Sequence, residues 1–559
     1  MMKLESTTIK LSPRFDLESM YPKYRKYLAG AKVGEVVTRF APEASGYMHI
    51  GHIKSALLSY HYANMFEGKL IMRFDDTNPS KEKEEYEESI LEDVKTLDIR
   101  YKVITHTSDH FELIIKRCTE VIQRGLAYAD KTEHEQMKKE RMDGIESIYR
   151  NTTPEENLKI WEEMQKGNLP EYCIRIKIDM QCKNKCMRDP VIFRHCTTPH
   201  QRTGTKFKVY PVYDFACPIV DSEEGVTYAL RSNEYADRNH LYNWILKTLN
   251  LNPVKIMDFS RLNFVSTTLS KRKLGWFVDK NIVDGWTDPR FPTVKGILRR
   301  GMLVQTLIEF MLEQGPSKNT NLMEWDKIWA LNRKNIDPIA VKYTAISKKG
   351  IQKLIINNFD LIDQSIIMTP LHPKLTEVGD KPVHKTQTVI IEKEDLSDLK
   401  EGDKIVLVKW GVFTIKTISK LENDISVIIE ANPEDMDFKA PKKLTWLPYN
   451  SNYLIDINVL EYDHLLNVLK PDEIEDFSSF VNYNSKFSTE FLAEGHMKAL
   501  EIGSILQFER RGYFIVDKKS IVDNNKLVID CISIPDGKSK TMSGLATNVD
   551  AKLLQKGNK

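Results

Sequence analysis

The chain lacks three features that mark common classes of protein: a large net charge, a long apolar segment and a closely paired cysteine motif. Its 81 Lys and Arg residues nearly balance 79 Asp and Glu residues, for a formal charge of +2. Any nucleic-acid partner must therefore bind a local basic surface. No apolar run approaches the roughly 20 residues that cross a bilayer, and the first residues lack the apolar core of a signal peptide. We expect a soluble, intracellular protein with no membrane partner.

The cysteines are few and unevenly placed. The total of seven is odd, which argues against a disulfide framework. Four of them, Cys173, Cys182, Cys186 and Cys196, lie near one another in sequence without a C-x-x-C pair. A structural zinc site usually has tighter ligand pairs, so reduced thiols and no metal site are the favoured prediction, with zinc as the alternative.

A strand, a turn and a helix succeed one another near the start of the chain. Residues 35–40 alternate in the manner of a strand, residues 41–52 form a Gly-containing turn, and residues 53–60 have helical spacing. The first N–H groups of a helix are unpaired and face the positive end of its dipole, so this junction favours an anion.

Two histidines and two glycines occupy this junction. His49 and His52 are three residues apart and share one face of the first helical turn. Gly46 and Gly51 leave room for a ligand to approach the backbone. The pattern predicts a triphosphate site, although such a pair, considered alone, is more often a helix cap or part of a core.

A second motif far downstream supports the phosphate interpretation. Arg261-Leu262-Asn263 precedes the cationic segment 268–274, which contains Leu269, Ser270 and Lys271 and leads into a predicted helix. Clustered cations oppose the positive end of a helix, so they indicate an anionic ligand.

These two motifs resemble the paired "HIGH" and "KMSKS" signatures of class I aminoacyl-tRNA synthetases. The segments 73–79, 213–218 and 285–293 resemble the glutamyl and glutaminyl branch in its eukaryotic and archaeal form. The resemblance extends from about residue 30 to about residue 540. Ala41 and Ala44 stand where the family often has prolines, which alters the turn but removes no charged group.

The resemblance implies a multidomain α/β, α and β protein with a Rossmann-like, doubly wound parallel sheet. An insertion that holds the acceptor end of tRNA, a helical connecting domain and two anticodon-binding β-barrels complete the expected fold. The expected segments are an N-terminal appendage (1–32), the first catalytic half (33–130), the acceptor-binding insertion (131–205), the second catalytic half (206–290), the helical domain (291–345) and the barrels (346–559).

An internal repeat independently supports the two barrels. Gly402 and Gly411 are separated by nine positions, as are Gly503 and Gly512. Alternating apolar residues follow the first glycine of each pair, which is typical of related β-hairpins.

The resemblance also assigns the ligands. Arg231 occupies the position at which the glutamyl branch carries arginine and the glutaminyl branch a small uncharged residue. A guanidinium grips a carboxylate through two parallel N–H bonds, so glutamate is the expected substrate. The residues implied to bind glutamate are Arg39, Ala41, Asp75, Tyr213 and Arg231. Those implied to bind ATP are Gly46, His49, Gly51, His52, Glu234, Arg261, Leu262, Leu269, Ser270 and Lys271, of which His49, His52 and Lys271 are catalytic.

The expected reaction is ATP-dependent ligation of L-glutamate to tRNA(Glu) through a glutamyl-adenylate, with Mg²⁺ bound through ATP. Association with other synthetases or with an accessory tRNA-binding protein is a further expectation. Three alternatives compete: the same chemistry with glutamine, a plain nucleotidyltransferase, and a catalytically silent RNA-binding protein. Arg231 opposes the first, the predicted barrels the second, and the intact His49, His52 and Lys271 the third.

Overall fold

The computed structural model describes residues 16–80, 83–319, 321–359, 365–421, 424–439, 441–522 and 525–538. Residues 1–15 of the predicted N-terminal appendage lie outside this part. The chain divides into two compact units. The first comprises Asp16–Asn263 with Ile308–Met323, and the second comprises Phe264–Leu307 with the described residues from Glu324 onward.

The α-helices in the described residues are α1 (Leu17–Arg25), α2 (Ile50–Asn64), α3 (Glu84–Thr96), α4 (Phe111–Gln123), α5 (His134–Asp143), α6 (Pro154–Lys166), α7 (Tyr213–Glu223), α8 (Asn239–Thr248), α9 (Lys271–Asp279), α10 (Val294–Arg299), α11 (Val304–Gln314) and α12 (Asp326–Ile336). The strands up to residue 323 are β1 (Val37–Phe40), β2 (Lys69–Phe74), β3 (Val103–His106), β4 (Ala127–Asp130), β5 (Cys173–Ile176), β6 (Val191–His195), β7 (Val209–Pro211), β8 (Tyr228–Ser232), β9 (Lys255–Phe259), β10 (Asn263–Phe264) and β11 (Leu322–Met323).

The later strands are β12 (Val341–Tyr343), β13 (Ala345–Ser347), β14 (Ile351–Ile356), β15 (Ile366–Pro370), β16 (Asp380–His384), β17 (Thr388–Glu392), β18 (Lys404–Leu407), β19 (Gly411–Leu421), β20 (Asp424–Ala431), β21 (Lys442–Leu444), β22 (Leu447–Pro448), β23 (Leu454–Tyr462), β24 (Lys486–Glu494), β25 (Ile505–Phe508), β26 (Gly512–Val522) and β27 (Lys526–Ile534).

The first unit contains two sets of parallel strands. Strands β1, β2 and β3 pair in parallel, and so do β8 and β9. Helix α2 connects β1 to β2, as a parallel pair requires a crossover. The N–H of Thr227, just before β8, donates to the carbonyl of Val37 in β1 at 2.9 Å. An antiparallel sheet of β4, β5, β6 and β7 interrupts this parallel part in sequence.

Helix α2 is buried along most of its length, and helix α1 covers its far end. His61, near the end of α2, is 1% exposed, and its Nδ1 atom shares a hydrogen bond with the hydroxyl of Tyr21 at 3.0 Å. The side-chain amide of Asn64 donates to the same hydroxyl at 2.9 Å. These contacts fix the end of α2 that lies opposite His49.

The neutral state of His61 makes stability depend on pH. Burial lowers the pKa of His61 to about 3, whereas an unfolded histidine titrates near its usual 6.5. Between these values the unfolded chain binds more protons, so unfolding becomes easier as the pH falls. We expect His61 alone to lower the free energy of unfolding by about 2 kcal/mol between about pH 7 and about pH 5. Urea unfolding of His61→Gln should show a reduced pH dependence, whereas His134→Gln, at an exposed histidine, should match the unmodified chain. Equal pH dependence in the three proteins would contradict the prediction.

Two seven-stranded sheets make up much of the second unit. One has the strand order β21-β18-β19-β20-β14-β17-β22, and the other has the order β12-β25-β26-β27-β23-β24-β13. Each contains parallel as well as antiparallel pairs, for example β14 with β20 and β23 with β27. Their interiors are formed by separate clusters of buried apolar side chains.

The glycine repeat marks equivalent parts of the two sheets. Gly402 and Gly503 both have a φ of +88°, a left-handed conformation that favours glycine. The hairpin after each is followed by a bulge, between Ile415 and Thr417 in one sheet and between Val516 and Lys518 in the other. Equivalent core positions are buried in both: Ile405, Leu407, Phe413 and Ile415, and Leu506, Phe508, Phe514 and Val516. The sequence repeat therefore corresponds to a repeated three-stranded structure.

Candidate active site

Most of the predicted ligand-binding residues line one cavity of the first unit. This cavity has a volume of ≈ 580 Å³ and lies at the carboxyl ends of β1, β2, β8 and β9. Among the predicted residues, it is lined by Arg39, Ala41, His49, Gly51, His52, Asp75, Tyr213, Arg231, Glu234 and Arg261. Residues brought together from positions 39 to 261 thus surround one space large enough for a nucleotide or an amino acid.

The two histidines form a stacked pair at the start of α2. His49 is the N-cap residue, and 3.8 Å separates its ring centroid from that of His52. The Nδ1 atom of His49 accepts from the N–H of Gly51 at 3.2 Å. The Nδ1 atom of His52 accepts from the N–H of His49 at 3.3 Å. With both Nδ1 atoms acting as acceptors, the single proton of each neutral ring must lie on Nε2.

Burial keeps both rings neutral. Burial, reinforced by Arg261, lowers the pKa of His52 to about 4. Burial lowers the pKa of His49 well below its usual value, and the neighbouring His52 and Arg261 lower it further. The pair therefore presents two neutral Nε2–H donors beside the positive end of a helix dipole, an arrangement that binds an anion without titrating near pH 7.

Arg231 is a buried cation that no carboxylate of the described residues neutralises. It is 4% exposed, and its Nε and Nη1 atoms have no hydrogen-bond partner in the described part of the chain. The guanidinium carbon lies 5.4 Å from the ring centroid of Tyr235 and 5.0 Å from that of Tyr242. Aromatic faces attract a cation but do not remove its charge. Since an isolated buried charge is costly, this arginine favours an anionic ligand in the cavity.

Arg39 also lines the cavity, but a carboxylate already neutralises it. Its Nε atom donates to both carboxylate oxygens of Asp221 at 3.1 Å, and its Nη1 atom donates to the carbonyl of Leu230 at 3.1 Å. Asp221 is 0% exposed and is also paired with Arg73. The two arginines together hold the pKa of Asp221 far below its usual value despite its burial. A role for Arg39 in holding glutamate remains a prediction, and its charge is less available than that of Arg231.

Asp75 and Tyr213 present groups suited to an ammonium. The carboxylate of Asp75 accepts from the hydroxyl of Thr77 at 2.9 Å, and burial raises its pKa to about 6. A cation beside this carboxylate would stabilise its ionised form. The hydroxyl oxygen of Tyr213 accepts from the thiol of Cys217 at 3.5 Å. The next residue, Asp76, does not line the cavity. It is buried, and its carboxylate accepts a hydrogen bond from the N–H of Ser108 at 2.8 Å.

The residues predicted to bind ATP are not all in the cavity. Glu234 and Arg261 line it and are paired with each other, with 3.0 Å between Oε1 and Nη1. Gly46 and Leu262 do not line the cavity, and Leu262 is buried, with 2% of its surface exposed. Leu269, Ser270 and Lys271 belong to the second unit. Binding of ATP by these residues remains a prediction.

Contacts within the second unit fix the cationic segment 268–274, whose last four residues begin α9. The carboxylate of Asp472 accepts from the N–H of Leu269 at 3.0 Å and from the hydroxyl of Thr268. The ammonium of Lys273 donates to the carbonyl of Ile474 at 2.7 Å. Lys273 is buried, whereas Lys271 and Arg272 are exposed at the start of α9. Lys271 thus differs from Lys273 in having a solvent-exposed position.

The sequence did not reveal several residues that organise this site. The run 215–220 before Asp221 is almost entirely apolar, and a carboxylate at its end signals a buried ion pair. Tyr235 and Tyr242 follow Arg231 with no motif to distinguish them from core aromatics. Their role depends on the direction of their rings, which only the folded chain specifies.

No group of three or more His, Cys, Asp or Glu residues in the described part is placed to hold a metal ion. The seven cysteines are all free thiols in the structure. None of the described helices is both long enough and apolar enough to cross a bilayer.

Comparison with known families identifies the chain. Residues 35–338 match the tRNA synthetases class I (E and Q), catalytic domain. That match covers more than half of the 559 residues. The chain belongs to the class I (E and Q) tRNA synthetases. Residues 340–434 and 443–517 of this synthetase each match an anti-codon binding domain of the same class. Most strands of the two seven-stranded sheets lie within these two matches, and each match includes strands of both sheets.

Individual tRNA ligases align with this chain over most of its length. "Glutamate--tRNA ligase, cytoplasmic" of Saccharomyces cerevisiae is 46% identical over 92% of this chain and 72% of its own length. The protein of the same description from Arabidopsis thaliana is 44% identical over 92% of this chain and 71% of its own length. The "Bifunctional glutamate/proline--tRNA ligase" of Cricetulus griseus is 46% identical over 95% of this chain but only 36% of its own length. The chain thus spans about a third of the bifunctional relative.

Proposed function

We propose that this class I synthetase ligates L-glutamate to tRNA(Glu) in the cytoplasm, with release of AMP and diphosphate. The single observation that carries the choice of substrate is Arg231, a buried guanidinium with two N–H-bearing atoms that have no partner in the described residues. A glutamate γ-carboxylate would accept two parallel hydrogen bonds there and neutralise the charge. Glutamine would leave that charge buried and unneutralised, at a cost of a few kcal/mol.

The reaction needs groups that position both substrates. In the proposal, Asp75 and Tyr213 hold the α-ammonium of glutamate, which leaves its α-carboxylate free to attack the α-phosphate of ATP. The Nε2–H groups of His49 and His52 donate to phosphate oxygens, and Lys271 stabilises the charge that develops as diphosphate leaves. The glutamyl group then passes from the adenylate to the terminal ribose of tRNA, without a covalent bond to the protein.

Magnesium fits this site only as an ion bound through ATP. The cavity holds cationic and neutral donors together with the carboxylates of Glu43, Asp75 and Glu234, and the described residues do not gather these into a group that could hold a metal ion. Mg²⁺ commonly binds through substrate phosphates and a few waters. When bound, it would neutralise phosphate charge. His49, His52 and Arg261 would hold the phosphates that carry it.

The proposal includes a finer description of the fold. Strands β3, β2, β1, β8 and β9 form one doubly wound, Rossmann-like sheet, with the cavity where the order reverses between β1 and β8. The hydrogen bond from Thr227 to Val37 supports this continuity. Residues 131–205 bind the acceptor end of tRNA, residues 291–345 form the helical connection, and the described residues from 346 onward form two barrels that bind the anticodon. Similarity to bifunctional ligases also favours association with other synthetases.

The direct test is charging of total tRNA with labelled glutamate and, separately, labelled glutamine. We expect glutamate to be attached and glutamine to be rejected by at least about 10²-fold in kcat/KM, the range for a buried charge left without its partner. Efficient charging with glutamine would refute the substrate assignment. Absence of charging with either amino acid would refute the ligase activity itself and favour the silent RNA-binding alternative.

A further inference from the structure

Lys54 is a buried cation that no part of the proposed chemistry uses. Lys54 is 1% exposed and lies on α2, the helix at whose start the histidine pair stands. Its ammonium donates to the carbonyl of Ser260 at 2.7 Å and contacts the hydroxyl of the same residue at 3.3 Å. No carboxylate in the described residues forms an ion pair with it. Burial accordingly lowers the pKa of Lys54 to about 8.

Such a cation is costly to keep in a core. Removing an ammonium from water costs several kcal/mol of free energy. A hydrogen bond to one backbone carbonyl recovers only part of that free energy. An apolar side chain of the same length would fill the space and avoid the cost.

Ser260 lies between two residues of the cavity wall. Phe259 precedes it and Arg261 follows it, and both line the cavity. The ammonium of Lys54 also lies 5.6 Å from the ring centroid of Phe259. On the other side, the N–H of Ser260 donates to the carbonyl of Ser317 at 2.7 Å. Ser260 is thus held through both its N–H and its carbonyl group.

These contacts join the two sources of phosphate-binding groups. Helix α2 contributes His49 and His52 to the cavity, and the segment after β9 contributes Arg261. Lys54 is the side chain of α2 that donates directly to the residue before Arg261. A charge-assisted hydrogen bond to a carbonyl is stronger and more directional than apolar packing.

We propose that Lys54 is a positioning residue for ATP, because it fixes Ser260 and through it Arg261 relative to the histidine pair on α2. The inference rests on the proposed function only in taking ATP as the ligand of this cavity. Lys54 itself need not touch the nucleotide. Its contribution should therefore vanish when Arg261 is truncated, which distinguishes positioning from general packing.

The test is a double-mutant cycle of Lys54→Met and Arg261→Ala. Its first readout is the KM for ATP in tRNA charging, and its second is the Kd for a non-hydrolysable ATP analogue measured by calorimetry. We expect Lys54→Met to raise both about tenfold, and the double variant to match Arg261→Ala within about twofold. The KM for glutamate should change much less. Tyr21→Phe is the matched control, since it loosens the opposite end of α2 without touching Ser260.

Three results would overturn the inference: an unchanged Kd in Lys54→Met, a further tenfold loss when Lys54→Met is added to Arg261→Ala, or an equal loss in Tyr21→Phe. The last would mean that any weakening of α2 has the same effect. Thermal unfolding of each variant checks that the proteins are folded. If the unmodified chain charges no tRNA while the analogue shows the expected cycle, the proposed ligase activity fails and the role of Lys54 stands.

Discussion

Replacing Arg231 with glutamine is expected to lower kcat/KM for glutamate about 10²- to 10³-fold, the loss typical of truncating one partner of a buried charge pair. The reason is that Arg231 is the cavity arginine whose guanidinium has buried N–H groups without partners in the described residues. If Arg231 selects the substrate as proposed, the variant should also lose most of its preference for glutamate over glutamine, since the buried charge that disfavours glutamine is gone. Charging kinetics with both labelled amino acids measure this directly.

Two further variants separate the charge of Arg231 from its hydrogen-bonding geometry and from the effect of a neighbouring arginine. Arg231→Lys keeps the positive charge but loses the planar pair of donors, so it should recover only part of the loss. Arg238→Gln removes a charge that also lies near Tyr235, at 5.2 Å from its ring centroid, but is already paired with Asp214 at 3.0 Å. Its effect should be much smaller. A kcat/KM for glutamate in Arg231→Gln within about threefold of the unmodified value would contradict the assignment of Arg231.

The local parts of the site were accessible from the sequence. The alternation before residue 41 predicted a strand, and β1 occupies Val37–Phe40. The helical spacing after the turn predicted a helix, and α2 occupies Ile50–Asn64. Equal glycine spacing predicted related hairpins in the C-terminal part, and these share a bulge and their core positions. In each case the signal lies within a few residues, where chain geometry relates sequence directly to conformation.

Distinctions that depend on distant partners were not accessible. The resemblance gave Arg39 and Arg231 the same role, yet Asp221, 182 residues from Arg39, is bonded to Arg39, whereas no carboxylate of the described residues is bonded to Arg231. Which arginine keeps N–H groups available for a ligand is therefore a property of tertiary structure. The same holds for Lys54, whose acceptor is 206 residues away, and for Asp472, which holds the loop around Leu269 from 203 residues away.

Lys271→Ala is expected to lower kcat about 10²- to 10³-fold with little change in the KM for ATP, the loss typical of removing one group that stabilises charge in a transition state. Lys271 begins α9, whose first turn contains no acidic residue and whose dipole opposes a cation. The nearby Lys273 is buried and bonded to the carbonyl of Ile474, so its charge serves to hold the loop. Lys271, by contrast, is exposed at the end of a loop that Asp472 fixes.

Arg272→Ala is the matched control for this prediction. It removes the same charge from the next residue of the same helical turn and leaves the Asp472 contacts in place. If Lys271 acts on the departing diphosphate, its variant should lose far more kcat than Arg272→Ala. Equal losses would instead mean that the loop contributes a general positive field, to which any of its exposed cations adds, and the specific role of Lys271 would have to be abandoned. Single-turnover measurements at saturating ATP separate these outcomes, because they report the chemical step without product release.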